Sequence, residues 1–310
     1  MTTGLGVAGL GWLGESLIKD AVNTDGLRVV AVQDVLPERS RAVAEQYGVG
    51  WWGERFDDLL GAPGADAVAI CTPNALHAAQ AQAALGAGKH VLVQKPLALT
   101  YADAQATLDA AERADRLLFV DYSYRFLDTV QVVRQHLPPI GEIRSVGAAF
   151  HNIYGPGAEK RWFFDRLLSG GGALTDLGVH LLDLALWLLA PARVGLASVL
   201  LSGEGPVETG AQLHLQADGV PVELDVSWNA PLPATDISFE VQWAAHTLRW
   251  ENVSGSFFHF RTTFDGGVLA DKKTTLREDT LRAFQLALDT GSAPGIDLRV
   301  YALLDQAYDR

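Results

Sequence analysis

The feature that most constrains this chain is a glycine-rich turn near its start, Gly9–Gly14, with the sequence GLGWLG. It follows a short apolar run, Leu5–Ala8, and it opens a stretch typical of a helix. An acidic residue, Asp34, stands beyond a second apolar run, Leu27–Val32. A glycine turn between a strand and a helix, with a carboxylate after the next strand, predicts a dinucleotide-binding fold.

Each part of this turn has a mechanical role. Gly9 permits the tight turn, Gly11 lets a pyrophosphate approach the backbone, and Gly14 lets the helix pack close to the strand. The helix N-terminus then offers N–H groups and a partial positive charge to the phosphates. Asp34 accepts hydrogen bonds from a ribose 2′-hydroxyl and repels a 2′-phosphate. The sequence therefore predicts a site for NAD, with NADP as the less favoured cofactor; the alternative is a turn that binds nothing.

Two arginines close to Asp34 bear on that preference. Arg39 and Arg41 are positive charges that a 2′-phosphate could meet. Because Asp34 stands between them and the ribose, we interpret both as solvated helix residues.

The composition is that of a globular protein with an acidic surface. The chain has 310 residues, 48% of them hydrophobic, which is enough for two domains. Its net charge of −13 argues against a nucleic-acid partner, because phosphate binding needs a basic surface. The single cysteine, Cys71, suits a reducing cytosol, and we interpret it as a buried strand residue. The start lacks a signal-peptide pattern and the apolar stretch Leu181–Ala192 is too short for a bilayer, so we expect a cytoplasmic protein without membrane contact.

From residue 4 to residue 121, short apolar runs alternate with amphipathic stretches. Strands buried on both faces, with helices as crossovers, predict a doubly wound parallel sheet, and residues 1–121 therefore form a Rossmann domain. The predicted strands are Gly4–Ala8, Leu27–Asp34, Ala67–Cys71, His90–Gln94 and Leu117–Val120. The predicted helices are Leu13–Val22, Pro37–Tyr47, Ala75–Ala87 and Tyr101–Ala114, with Gly48 as a helix stop and Thr100 as an N-cap.

Residues 122–310 follow a different pattern. Several strand-like runs succeed one another with few helices between them, and some alternate apolar and polar residues, which predicts an antiparallel sheet with one covered face. The expected second domain is α+β, with a large, mostly antiparallel open sheet. Its predicted strands are Ile143–Phe150, Val194–Ser202, Ala211–Ala217, Val220–Trp228, Ile237–Gln242, His246–Trp250 and Ser256–Thr263. Its predicted helices are Leu127–Leu137, Ala173–Leu189, Leu276–Thr290 and Asp297–Tyr308.

Three segments carry side chains suited to chemistry. The first, Cys71–His77, follows a predicted strand, where ligands of open α/β sheets bind. We expect Thr72 and Asn74 to hydrogen-bond a cofactor ribose, with Pro73 holding the turn. The alternative is a helix start, with Asn74 as N-cap and His77 as a solvated residue of the first turn.

The second segment is Gln94-Lys95-Pro96, again beyond a strand end. Pro96 biases Lys95 to an extended conformation, which would project its ammonium group toward a cleft. A lysine there could stabilise a developing alkoxide. The alternative is an exposed surface lysine.

The third segment is the helix that follows the glycine cluster Gly170–Gly172. Asp176 and His180 are four residues apart and share a helical face, which Asp183 continues. A carboxylate beside an imidazole orients the ring and raises its basicity, as a general base needs. We expect the glycines to bring this helix close to the cofactor. A structural core histidine is the alternative, and a metal site on these three residues is less favoured.

Together and in this order, these segments resemble the Gfo/Idh/MocA oxidoreductases, the family of glucose–fructose oxidoreductase and inositol dehydrogenase. The resemblance covers essentially the whole chain. It implies a Rossmann domain followed by a domain whose open sheet forms homodimers or homotetramers through its outer face. It rests on Gly9–Gly14, Val32-Gln33-Asp34, Cys71–Asn74, Gly86–Val91, Gln94-Lys95-Pro96, Tyr124-Arg125-Phe126, Ile140–Ile143 and the helix with Asp176 and His180.

The resemblance also implies roles for individual residues. Lys95 and His180 match the family's catalytic lysine and histidine, and Asp176 matches the aspartate that positions the substrate and its proton. The implied cofactor-binding residues are Gly9, Gly11, Trp12, Leu13, Gly14, Asp34, Cys71, Thr72, Pro73, Asn74, His77, Gln94 and Lys95. The implied substrate-binding residues are Lys95, Tyr122, Tyr124, Arg125, Trp162, Asp176 and His180, and further pocket candidates are Asp121, Tyr154, Lys160 and Arg161.

The chain departs from the family pattern at two places near the predicted site. Gln94 replaces the usual glutamate before the lysine, which removes a negative charge near the nicotinamide. Asp121-Tyr122-Ser123 stands where many members carry Gly-His-Asn, so we expect a different substrate from those of well-known members.

The predicted function is hydride transfer between NAD and a carbinol carbon of a sugar, an inositol or a related polyol, without a metal. Two alternatives remain. One is a reductase or dehydrogenase of a dihydrodiol or an unsaturated compound. The other is a non-catalytic NAD-binding sensor.

Overall fold

The computed structural model describes residues 2–153 and 155–310, with the backbone alone for residues 158–160. Its helices are α1 Trp12–Ala21, α2 Pro37–Tyr47, α3 Phe56–Leu60, α4 Asn74–Gly86, α5 Tyr101–Ala114, α6 Asp128–His136, α7 Arg166–Ser169, α8 Val179–Leu189, α9 Arg277–Thr290 and α10 Arg299–Ala307. Its strands are β1 Thr3–Ala8, β2 Leu27–Gln33, β3 Trp51–Gly53, β4 Ala67–Ile70, β5 His90–Gln94, β6 Leu118–Asp121, β7 Ile143–His151, β8 Val194–Ser202, β9 Gly210–Ala217, β10 Val220–Ser227, β11 Asp236–Trp243, β12 His246–Asn252, β13 His259–Phe264 and β14 Gly267–Lys273.

The chain divides into two compact units. The first unit comprises Met1–Asp121 and Arg277–Ile296, and the second comprises Tyr122–Leu276 and Asp297–Arg310. The sequence predicts one boundary, between residues 121 and 122. The structure adds that a late segment, which contains α9, returns to the first unit.

The first unit is built on a parallel sheet with the strand order β3-β2-β1-β4-β5-β6. The central strand β4 is buried along its whole length, as expected for a strand covered by helices on both faces. From the returning helix α9, Phe284 packs edge-on against Phe119 of β6, with the ring centroids 5.5 Å apart. The prediction of a doubly wound parallel sheet is confirmed.

The second unit is built on a sheet with the strand order β14-β13-β12-β11-β7-β10-β9-β8 among the described residues. Neighbouring strands are antiparallel except β7 and β10, which pair in parallel. Buried and exposed residues alternate along β9 and β10, because one face of the sheet packs on the core while the other faces away from it. The prediction of a large, mostly antiparallel sheet is confirmed.

Several local predictions are confirmed in detail. Gly48 ends α2 in the left-handed conformation with φ of 65°. The Thr100 side chain accepts a hydrogen bond from the N–H of Asp103 and caps α5. The sequence analysis missed the strands β3 and β14 and the short helices α3 and α7.

One helical stretch, Arg166–Leu189, is long and apolar enough to span a membrane by length and composition. It is longer than the apolar stretch that the sequence analysis considered. However, 83% of its most apolar window is buried inside the protein, as in the core helix of a globular fold.

Candidate active site

In the glycine turn, the surroundings of Gly9, Gly11 and Gly14 each explain in a different way why a glycine stands there. Gly9 has φ of +83°, and a Cβ there would stand 2.7 Å from the carbonyl group of Cys71. A Cβ on Gly14 would stand 1.9 Å from the carbonyl oxygen of Gly9. At Gly11, by contrast, no described atom lies within 4 Å of the Cβ position. The fold therefore needs Gly9 and Gly14 for its own packing, whereas the open space at Gly11 suits the pyrophosphate of a dinucleotide.

Helix α1 begins directly behind this open space. Its N-cap is Gly11, which has no side chain to accept a hydrogen bond from the first turn. The N–H groups of the first turn and the helix dipole thus favour an anion there. Trp12 is 62% exposed and lies under the guanidinium of Arg277, 5.4 Å from the ring centroid.

Asp34 follows β2 and is buried beside the glycine turn. Its Oδ2 accepts a hydrogen bond from the N–H of Leu10 at 2.8 Å, and its Oδ1 accepts one from the N–H of Leu36 at 3.0 Å. Arg39 lies 3.4 Å from Oδ2. The Arg39 side chain is 45% exposed, so it is a solvated helix residue as predicted, and its charge also pairs with Asp34. Arg41 pairs with Glu45 on the surface of α2, as an exposed helix residue does.

The segment Cys71–His77 links two neighbouring strand ends. Helix α4 begins at Asn74 with Pro73 as its N-cap, so the alternative that made Asn74 the cap is wrong. His77 is buried, and its Nδ1 and Nε2 lie 2.7 Å from the Pro96 carbonyl oxygen and 2.8 Å from the Thr72 carbonyl oxygen. His77 therefore links the loop at Thr72 to the loop at Pro96, and it is not a solvated residue. Burial lowers the pKa of His77, and the hydrogen bonds to the two carbonyl oxygens partly oppose this lowering.

The strand order brings the predicted first-unit residues to one edge of the sheet. Strands β1, β4, β5 and β6 are parallel neighbours, so their carboxyl ends lie side by side. The glycine turn, Thr72 and Lys95 follow three of these ends, and Asp121 ends the fourth. Lys95 is half-buried there, and Gln94 Nε2 donates a hydrogen bond to Asp121 Oδ2 at 2.7 Å.

The glycine cluster in the second unit serves packing inside that unit. A Cβ on Gly172 would stand 1.7 Å from the carbonyl oxygen of Glu208, and one on Gly171 would stand 2.2 Å from the Tyr308 hydroxyl. The Glu208 carboxylate also accepts hydrogen bonds from the N–H groups of Gly172 and Leu174, at 2.8 and 3.0 Å. These contacts anchor the helix within its own unit, and the expectation that the glycines bring it close to the cofactor stays a prediction.

The helix that carries Asp176 and His180 contains a π-helical turn over Leu174–Gly178. Such turns are rare and occur often at functional sites. Asp176 accepts a hydrogen bond from the indole Nε1 of Trp228 at 3.0 Å, and Trp228 is fully buried. The ring of His180 lies half-buried, 5.1 Å between centroids from Tyr124.

Asp183, one turn beyond His180 on the helix, is paired with an arginine. Its carboxylate forms a buried, two-pronged ion pair with Arg125, in which Nε lies 2.7 Å from Oδ2 and the second nitrogen contacts Oδ1. Burial raises the pKa of Asp183 to about 7, and Arg125 opposes that rise. Among the described residues, no group of three or more histidine, cysteine, aspartate or glutamate side chains could hold a metal ion.

The remaining substrate candidates have varied settings. Tyr122 and Tyr124 are buried, and burial raises the pKa of both hydroxyls. The Tyr122 hydroxyl lies 2.8 Å from that of Tyr301. Trp162 is half-buried against Phe163, with the ring centroids 4.2 Å apart. Tyr154 and the side chain of Lys160 lie outside the described residues.

Sequence reasoning missed Glu208, Trp228 and Thr280 as supports of these segments. The alternation along β10 indicates that Trp228 faces the core, but nothing local indicates that its indole meets Asp176. Glu208 lies 36 residues from Gly172, so only the folded chain shows their contact.

Comparisons with known proteins agree with this architecture. Residues 3–122 match the family model for the Gfo/Idh/MocA oxidoreductases with an NAD-binding Rossmann fold, and residues 138–249 match the C-terminal domain of the same family. A protein of Amycolatopsis mediterranei with the provisional name UDP-kanosamine synthase oxidoreductase subunit is 32% identical over 258 residues, which cover 80% of this chain and 71% of that protein.

Two further relatives have named substrates. The D-glucoside 3-dehydrogenase of Escherichia coli is 36% identical over 168 residues, which cover 53% of this chain and 47% of that enzyme. This match therefore spans about half the length of that relative. The structure of levoglucosan dehydrogenase with NADH and levoglucosan superposes with a TM-score of 0.84 and covers 100% of this chain and 98% of that one, at 20% identity.

The two family models, the glycine turn and the sheet orders all lead to one assignment. The chain belongs to the Gfo/Idh/MocA family of oxidoreductases and has the NAD-binding Rossmann fold of that family.

Proposed function

We propose that this enzyme oxidises or reduces a hydroxyl-bearing carbon of a sugar or a related polyol. The observation that carries the proposal is the placement of Lys95 at the same carboxyl edge of the parallel sheet as the glycine turn, two strands away from it. The names of the relatives support a sugar as the second reactant, since they act on D-glucosides and levoglucosan. Bound NAD would supply the acceptor or donor of the hydride.

Three side chains of this protein would perform the proton and charge chemistry. Lys95 would hold the substrate oxygen and stabilise its negative charge as the hydride leaves. His180 would accept the hydroxyl proton during oxidation and return it during reduction. Asp176, held by the Trp228 indole, would fix the substrate. These roles follow from the matching positions in the family.

The cofactor side of the proposal rests on the geometry of the first unit. Gly11 leaves the space for a pyrophosphate in front of α1, and Asp34 lies buried behind the turn. Residues 1–121 would thus bind the cofactor, and residues 122–310 would bind the substrate. Arg125 is buried and paired with Asp183, so the proposal gives it a structural role and not a contact with the substrate.

The setting of the enzyme is also part of the proposal. We place it in the cytoplasm, because its one cysteine and acidic surface suit that compartment. The outer face of the eight-stranded sheet would join copies into a homodimer or homotetramer, as the resemblance implies. The acidic net charge gives no basis for a nucleic-acid partner.

A substrate panel tests this function. The purified chain is incubated with NAD and with hexopyranosides, anhydro sugars, inositols and other polyols, and NADH formation is followed by absorbance. We expect turnover with at least one sugar or polyol, and the position of the new carbonyl follows from NMR of the product. Turnover confined to a dihydrodiol or an enone would instead support the first alternative. Tight NADH binding without any turnover would support the sensor.

Replacing Asp34 by alanine is expected to raise the preference for NADP over NAD by at least about tenfold. The change removes a carboxylate that repels a 2′-phosphate, and it releases Arg39 from its 3.4 Å pair with that carboxylate. The measurement is the ratio of kcat/KM for the two cofactors within the same variant, which cancels any loss of folded protein.

The matched control is the double variant Asp34→Ala/Arg39→Ala. It should lose much of the gain with NADP, because no released guanidinium remains to pair with the phosphate. An unchanged cofactor ratio in Asp34→Ala would refute this interpretation of the carboxylate. Folding stability should fall by about 1–2 kcal/mol, since the Leu10 and Leu36 amides lose their acceptor.

A further inference from the structure

A buried polar chain lies under the Lys95 segment in the first unit. Gln94 Nε2 donates a hydrogen bond to Asp121 Oδ2 at 2.7 Å, and Thr280 Oγ1 donates one to Asp121 Oδ1 at 2.8 Å. Asp121 is 5% exposed and Thr280 is 1% exposed. Pairing of β5 with β6 sets Gln94 directly opposite Asp121, so the contact is built into the register of the sheet.

The surroundings of Asp121 act on its pKa in opposite directions. Burial raises the pKa of the Asp121 carboxyl, and the hydrogen bonds from Thr280 and Gln94 oppose that rise, as do the charges of Arg277 and Lys95. Burial raises the pKa of the Cys71 thiol, and the charge of Asp121 raises it further. Asp121 is therefore an acidic group whose ionised form the fold accepts at a net cost.

The position of this carboxylate complements the departure at Gln94. The family motif has a glutamate before the lysine, and this chain has an amide there. The amide group of Gln94 is bonded directly to a carboxylate on the adjacent strand. The negative charge next to the lysine segment is thus retained, one strand further along the sheet.

We propose that Asp121 is a positioning residue whose carboxylate, fixed by Gln94 and Thr280, supplies the negative charge that orients the Lys95 ammonium. The inference rests on the catalytic role that the proposed function gives to Lys95. Asp121 does not contact the reacting atoms in this proposal, because two side chains enclose its carboxylate inside the sheet edge.

The change Asp121→Asn separates a purely structural role from a positioning role. It lowers the stability of the fold if Asp121 only holds the fold together, and it raises that stability if the ionised carboxylate is kept for its charge. With a raised pKa in the folded state, Asp121 takes up a proton more readily when folded, so its contribution to stability falls as the pH rises above the ordinary carboxyl range. Asp121→Asn removes that effect. It keeps the hydrogen bonds to Thr280 and Gln94 if the side-chain amide of Gln94 rotates by 180°, so that its oxygen accepts from the new amide. We expect its Tm at pH 8 to exceed that of the wild type by roughly 2 °C, with the difference vanishing near pH 4.

The same variant should lose catalytic power. We expect kcat to fall about tenfold at pH 8 with little change in the affinity for NAD, because the charge acts through Lys95 on the substrate oxygen. The loss should shrink as the pH falls, since the wild-type carboxylate then becomes protonated as well. Asp66→Asn is the matched control, because Asp66 is an exposed aspartate at the opposite end of β4 in the same sheet.

Moving the negative charge from position 121 on β6 to position 94 on β5 tests whether the charge itself matters, and not the aspartate at position 121. In the double variant Gln94→Glu/Asp121→Asn, the new amide at position 121 donates a hydrogen bond to the new carboxylate at position 94. The oxygen of that amide still accepts from Thr280, so both hydrogen bonds are kept, with the one between positions 94 and 121 reversed in direction. We expect this double variant to recover most of the lost kcat. Gln94→Glu alone sets two carboxylates in contact, so one of them must hold a proton at neutral pH.

The outcomes are distinguishable. Wild-type turnover in Asp121→Asn, failure of that variant to fold, or no recovery in the double variant would each overturn the inference. Lys95→Met is measured alongside: full activity in Lys95→Met contradicts the proposed function itself. An inactive Lys95→Met with an unimpaired Asp121→Asn contradicts the inference alone.

Discussion

Replacement of His180 by asparagine is expected to lower kcat by about 10³-fold, because the proton of the substrate hydroxyl then has no positioned base. Lys95→Met should lower kcat by about 10²-fold or more, because the negative charge on the substrate oxygen loses its ammonium partner. Both losses should appear in kcat rather than in the dissociation constant of NAD. The measurement is steady-state turnover of the sugar found in the panel, with NADH affinity followed by fluorescence.

Matched controls exist for both replacements. Lys19 is an exposed lysine of the first unit, and His136 is an exposed histidine of the second, so Lys19→Met and His136→Asn should leave turnover unchanged. Circular dichroism spectra of the active-site variants should match that of the wild type. Turnover close to that of the wild type in both Lys95→Met and His180→Asn would remove these residues from the mechanism.

Replacement of Arg125 by methionine is expected to destabilise the protein by about 3–5 kcal/mol at pH 8, because it leaves the Asp183 carboxylate buried without its partner. Without Arg125, the folded state must hold Asp183 protonated, whereas the unfolded state releases that proton above the ordinary carboxyl range. The folded form then binds more protons, so the loss of stability should grow as the pH rises from about 5 to about 8. Urea unfolding at several pH values measures this dependence.

The double variant Arg125→Met/Asp183→Leu is the informative control for the ion pair. It removes both charges together and replaces them with apolar groups, so it should regain a large part of the stability that the single variant loses. A single variant as stable as the wild type at pH 8 would show that the pair contributes nothing. A double variant less stable than the single one would show that packing, and not the unpaired charge, accounts for the loss.

Local signals in the sequence predicted much of this fold. The strands of the parallel sheet are short, continuous apolar runs, and the helices between them carry stop and cap residues such as Gly48 and Thr100. The edge strand β14 was missed because its residues are almost all exposed, which leaves no alternation to detect. β3 was missed because it has three residues, too few for any period.

The site was predicted as a set of segments but not as a set of contacts. The sequence identified Lys95 and Asp34 by their positions after strands. It could not indicate that Asp183 pairs with Arg125. The two residues are 58 positions apart in the sequence, so only the folded chain brings their side chains together. Asp121 was expected near the substrate, yet strand pairing directs its carboxylate to Gln94 and Thr280.

The late return of residues 277–296 to the first unit has a consequence for synthesis on the ribosome. Chains emerge from their N-terminus, so residues 1–121 are exposed long before Thr280 and Phe284 have been made. Until then, Phe119 lacks its aromatic neighbour and Asp121 lacks one of its two donors. The nucleotide-binding half therefore reaches its native packing only after the whole of 122–276 has been translated, and a nascent chain released before that point cannot complete it.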